Sequence, residues 1–188
     1  MTVEEIFTQL SHHMLEGLMF HSDMVDYYEF LTLPGYSACH YYHLMDESCG
    51  YRKLQKFYIR TYDKLILETE VKPADLIPEN WYSHTRQDVD TNTVRNAVKS
   101  ALAKWEDWEH ETRKMYEKMY HELEEIGEIK ACMFLKGYIC DVDHEWKKVK
   151  KYHIRKKLID YNISDIMSEQ KHMKDKYESK IRSLEYDD

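Results

Sequence analysis

Glycine and proline are scarce in this 188-residue chain: five Gly and three Pro, two of the prolines in one stretch (Pro73 and Pro78). So few backbone breakers exclude a turn-rich sheet protein and favour long helices. The four cysteines (Cys39, Cys49, Cys132, Cys140) form no CxxC pair and no zinc spacing. No apolar run approaches the roughly 20 residues of a membrane span. Positive charge is also short, with 27 Lys and Arg against 35 Asp and Glu and a formal net charge of −8. That balance argues against a nucleic-acid binder. The start, Met1-Thr2-Val3-Glu4-Glu5, is acidic where a secretory leader would be basic. A reduced, cytoplasmic compartment without membrane association is the expectation.

Tyrosine (16), histidine (11) and methionine (10) are plentiful instead. Tyr and Met readily fill a helical core. The histidines are less easily absorbed, because several fall on inward faces. Thr2 with Glu5 reads as a capping box opening helix A, which ends before the turn Leu33-Pro34-Gly35. The periodicity then predicts helix B from Tyr36 to about Leu67, helix C from Thr91 or Thr93 to about Ile126, and helix D from Ile129 to about Tyr161. A shorter, more polar helix follows from Asp165 to about Leu184. Residues 68–92 form a long connection, with Trp81 and Tyr82 expected to pin it to the bundle. Two short links flanking a long one describe an all-α, up-down-down-up four-helix bundle over residues 1–162. Residues 163–188 add a C-terminal helix and tail.

Acids interrupt the apolar stripes. In helix B, Tyr36, His40, His43, Glu47, Gly50, Leu54 and Tyr58 share one face. Glu47 therefore points at the core, where a carboxylate is costly unless paired, hydrogen-bonded or metal-bound. Glu109 interrupts the stripe of helix C in the same way. Helix D is read with Met133, Phe134, Gly137, Tyr138, Asp141, His144 and Tyr152 facing in. Asp141 and His144, three residues apart, then project together. Acids from several helices meeting in one bundle are how di-metal carboxylate centres are built. A polar core without metal is the other reading, with Glu109 paired to Arg113, and Glu47 and Asp141 bonded to Tyr or His. Cys49 and Cys140 read as buried thiols. The basic stretch Lys147–Lys157 reads as a solvated helix face near a C-terminus.

Several motifs together resemble the ferritin and bacterioferritin family. Asp26-Tyr27-Tyr28-Glu29-Phe30 is similar to the aromatic cluster ending the family's first helix, and Leu33-Pro34-Gly35-Tyr36 to its A–B turn. Asp46-Glu47 falls at the family's paired acids, and Trp108-Glu109-His110 at its third-helix ligand. Phe134-Leu135-Lys136-Gly137-Tyr138-Ile139-Cys140-Asp141-Val142-Asp143-His144 resembles Phe-Leu-x-x-Phe-Val-x-Glu-x-x-His. The resemblance implies a ferritin-like bundle assembling as a homo-oligomer, up to a cage. It implies a di-iron centre, with manganese or zinc as alternatives, held by Glu16, Glu47, Glu109, Asp141 and His144. Oxidation of Fe(II) for iron storage or detoxification would follow. Two departures stand out: Gly50 replaces the helix B histidine, leaving His43 as a substitute, and Asp141 replaces a Glu. Glu16, at the edge of its helix's apolar face, fits a boundary acid equally well. The alternative function is a non-catalytic ferritin-like scaffold or interaction protein whose metal site has decayed. DNA binding through the basic stretch, as in a miniferritin, is disfavoured by the overall acidity.

Overall fold

The computed structural model of the chain describes residues 1–66 and 89–185. Most of the long connection, with Trp81 and Tyr82, lies outside the described residues. Five helices and no strand are found among those described: α1 Val3–Phe30, α2 Pro34–Tyr62, α3 Thr91–Glu125, α4 Ile129–Leu158 and α5 Ile163–Glu185. None of them is long and apolar enough to cross a membrane.

Each boundary has a local cause. The Glu5 amide donates to Thr2 Oγ1 (3.2 Å) and the Thr2 amide to Glu5 Oε2 (2.8 Å), the expected capping box of α1. Thr32 at φ 57° turns the chain, and Pro34 opens α2 with its fixed φ. α2 ends at Tyr62, short of the expected Leu67, because Asp63 adopts the left-handed conformation that stops a helix (φ 53°). Asp90 Oδ1 accepts from the Thr93 amide (2.7 Å) and starts α3. Gly127 at φ 78° separates α3 from α4, and Asp160 and Tyr161, both left-handed, separate α4 from α5. Asn162 caps α5: its Oδ1 accepts from the Asp165 amide (3.2 Å).

The helices share two apolar clusters, one at each end. Ile6, Leu10 and Met14 of α1 pack with Leu54 and Tyr58 of α2, Met119 and Leu123 of α3, and Leu135 of α4. Phe20, Met24 and Tyr28 pack with Tyr36 and Cys39, Val98 and Leu102, Val149, and Ile166 of α5. The first half of α1 thus meets the second half of α2, the second half of α3 and the first half of α4.

The fifth helix is more than an appendage. It lies along the start of α2 so closely that a Cβ on Gly35 would stand 2.5 Å from the Gln170 carbonyl oxygen. Leu33 offers α2 no side-chain cap, and Gln170 Oε1 takes that role, accepting the amides of Gly35 (2.9 Å) and Tyr36 (3.4 Å). Lys156 at the end of α4 is wholly buried, with Nζ 2.5 Å from Asp165 and 2.6 Å from Glu169. Glu169 also accepts from the phenols of Tyr36 (2.7 Å) and Tyr152. The basic stretch is therefore not a uniform solvated face, because this lysine is spent inside on fastening α5.

Two glycine substitutions separate these contacts from helix propensity. Gly35→Ala drives a methyl into α5 backbone and is expected to lower unfolding stability by about 2 kcal/mol. Gly137→Ala, where a Cβ meets nothing within 4 Å, is expected to raise it by about 0.5–1 kcal/mol. Urea unfolding followed by circular dichroism reads both.

Candidate functional site

Between the two apolar clusters lies a polar layer, built from α1, α2 and α3. α2 supplies His40, His43 and Glu47 at helical spacing, and α3 supplies Trp105, Glu109 and Thr112. α1 contributes His13 and His21, and between them Gly17, whose missing side chain makes room. A Cβ there would stand 3.5 Å from Glu47 Cδ and 3.4 Å from the Trp108 ring. The Glu47 carboxyl therefore lies against α1 backbone. Glu109 is buried and accepts from Trp105 Nε1 (2.9 Å). His13 stacks on Trp108 at 4.4 Å and shares a 2.7 Å hydrogen bond with Thr112 Oγ1. His21 and His40, both buried, meet Nδ1 to Nδ1 at 2.9 Å, so one ring carries the shared proton and the other accepts it. The His43 ring lies 5.3 Å from that of His21.

Enclosure sets the charge of this layer. Burial, then the neighbouring Asp46, pushes the half-buried Glu47 up to about 7. Burial, then Glu47, pushes Glu109 up to about 8. Burial holds His13 and His43 down at about 4, and His21 and His40 well below the ordinary imidazole range. Near neutral pH the imidazoles carry no charge and Glu109 stays largely protonated.

A cavity of about 190 Å³ opens from this layer between α2, α3 and α4. Glu47 and Glu109 line it, as do His43, Asp46, Asp141 and Glu145. Asp141 is exposed, so it stands at the rim. His144 is exposed and is not among the lining residues. Glu16 is half-buried, 3.8 Å from His13 Nδ1, and does not line the cavity either. The expected inward face of α4 is met in part, with Phe134, Tyr138 and Tyr152 packed on the apolar clusters, and is otherwise displaced by about one residue. Cys132, Leu135, Val142 and Val149 are buried, whereas Met133 is 73% exposed and Gly137, Cys140, Asp141 and His144 face outward. The heptad-spaced Leu135, Val142 and Val149 take the inward positions, because burying apolar side chains is favourable and burying Asp141 or His144 is not. Cys140 is exposed and Cys49 only half-buried, against expectation. Arg113 turns from Glu109 to Asp143 and Glu117, each at 3.3 Å.

Sequence reasoning missed one participant and one contact. Glu145 is the α4 acid on the corrected register, visible as the step between Val142 and Val149. Tyr138 was read as an inward aromatic and a candidate electron donor, and its ring packs on the bare backbone of Gly50, where a Cβ would stand 3.5 Å away. Its hydroxyl donates to the Gly50 carbonyl at 2.8 Å. A phenol from α4 thus rests against the position at which the resemblance calls for a histidine. Among the described residues, no group of three or more His, Cys, Asp or Glu side chains is arranged to hold a metal ion. Comparison with protein-family models, with curated proteins and with solved structures gives no match to this chain.

The titration of this layer is readable as stability. Glu47 and Glu109 bind protons more tightly folded than unfolded, so their contribution is full below about 4.5 and is lost as pH rises through about 7 and 8. The histidines act oppositely: His13 and His43 contribute fully above 6.5 and lose that contribution as pH falls towards about 4. Stability is therefore expected to peak near pH 6, where the two windows overlap and their opposite slopes balance. In Glu109→Gln the decline from pH 6 to pH 8 should be visibly shallower, as thermal unfolding across that range will show.

Proposed function

We propose that the chain is a ferritin-like helical bundle that has lost its dinuclear metal centre and acts by binding rather than by redox chemistry. One observation carries this reading. Tyr138 is seated on Gly50 at the α2–α4 contact, while His144 of the same helix faces solvent. The two histidines that the resemblance calls for are thus missing from the centre, one replaced by a hydrogen and the other rotated away. The shared apolar clusters agree with an up-down-down-up course, since α1 starts where α2 and α3 end and α4 begins. The residues present do not fit a di-iron group. Glu47 and Glu109 enter the centre, but Glu16 and Asp141 stay at its margins. The polar layer then works as a set of uncharged hydrogen-bonding groups that ties the helices together.

A second reading has its own support. Glu109, whose proton affinity Glu47 raises, forms with it a pair of acids in one centre that a cation would bind by displacing their protons. Fe(II) oxidation for storage or detoxification is the activity such a pair would serve. Homo-oligomer formation accompanies either reading, and Ile129 and Met133, exposed by 72% and 73% beside the α3–α4 turn, offer an apolar surface for it.

Metal analysis separates the two. Protein purified in air is expected to carry well under one iron or manganese per chain and to oxidise Fe(II) no faster than buffer. Glu47→Leu, removing a half-buried acid whose ionised form is disfavoured, is expected to stabilise the protein by about 1 kcal/mol at pH 8. Stoichiometric iron in the wild type that disappears from Glu47→Leu would establish the second reading instead.

A further inference from the structure

A second cavity, of about 410 Å³, lies between α2, α4 and α5, with Trp105 of α3 at its base. Its volume is that of a small-molecule site, about 300–1,000 Å³. The base is apolar and closed, since Trp105, Cys39 and Val149 are all buried. Its walls are aromatic: Tyr36 and Tyr152 on one side, Tyr177 of α5 on another. α5 forms a whole side of it and is held there by the Lys156 ion pairs and the Gln170 cap, so the cavity belongs to the folded bundle.

The charge at its mouth is of one sign. Two acids line the cavity, and both are matched: Glu145 by Lys148 at 2.5 Å, Glu169 by buried Lys156 at 2.6 Å. Arg155 and Lys176 also line it. Arg155 has only a loose pairing, 3.9 Å from Asp165, and is 67% exposed. Lys176 is exposed, with Nζ over the Tyr177 ring at 5.1 Å. Two cations without a close carboxylate at one opening are notable on a chain of net charge −8. We infer that this cavity binds an anionic aromatic small molecule, its ring body against Trp105 and Tyr177 and its acid group at Arg155 and Lys176. Stacking on aromatic walls supplies affinity for a flat body. The guanidinium supplies paired donors for a carboxylate or sulfonate. This deepens the reading of the chain as a binding protein by naming the class of ligand.

The full chain titrated with anilinonaphthalene sulfonate, and in parallel with uncharged phenylnaphthylamine, tests the inference by fluorescence. The anionic dye should saturate at one per chain. Arg155→Glu combined with Lys176→Glu should weaken it about tenfold while leaving the neutral dye within about twofold. Met173→Trp, which fills the cavity from α5, should remove both. Equal binding of the anionic dye by the charge-reversed variant would overturn the inference, as would undiminished binding by folded Met173→Trp. If Met173→Trp does not fold, the charge reversal decides alone, because both side chains are exposed. Iron on the wild-type protein would sink the non-catalytic reading yet leave these dye results standing, and failed dye binding would leave the metal analysis standing.

Discussion

Enclosing ionisable groups without charging them is the constraint on which this molecule turns. Two apolar clusters close the ends of the bundle, and the layer between them holds two glutamates and four histidines. A charge there loses its water and gains no full counter-charge, so every group moves towards its neutral form. The carboxyls rise and the imidazoles fall, which leaves hydrogen bonds rather than ion pairs as the cement. The Trp105–Glu109, His13–Thr112 and His21–His40 bonds are those contacts. A buried polar network of this kind holds only while its members are satisfied. That is why the layer has so specific a geometry, including the gap at Gly17 that admits Glu47.

The opposite solution is used one layer further along. Lys156 is buried completely, with two carboxylates and the face of Tyr152 around its ammonium group. Breaking such a cluster from one side is expensive, since the remaining charges stay buried. The cluster thereby fixes α5 against α2, and Gln170 and Gly35 set how close the approach is. The wider cavity is a consequence of that placement. The same helix that completes the core at one end forms a wall of the space between α2 and α4. His43 and Glu145 line both cavities, which joins the neutral layer to the more cationic opening.

Much of the architecture was legible in the residues. The capping box at Thr2, the break at Gly127 and the scarcity of other breakers are local signals, and they delimit α1 and α3 closely, whereas Pro34, read as part of a turn, opens α2. Glu47 and Glu109 could be recognised as inward acids because each sits mid-stripe among large apolar side chains. His21 and His40 were visible as inward histidines, although their mutual bond was not. Helix D misled because two registers compete there. The motif Asp141-x-x-His144 lies one position from the stripe of Leu135, Val142 and Val149, and a one-residue change turns a helix by about 100°.

The sequence by itself determined the helical class, the ends of α1 and α3 and the identity of the acids that interrupt apolar stripes. These depend on short-range spacing and backbone preference, which a linear chain displays. Only the tertiary structure decided which face of α4 enters the bundle, that Tyr138 rests on Gly50, that α5 is bolted through buried Lys156, and that burial raises the proton affinity of the central acids. Each of those depends on how much surface neighbouring helices remove from water, and desolvation by residues distant in sequence cannot be read from spacing along the chain.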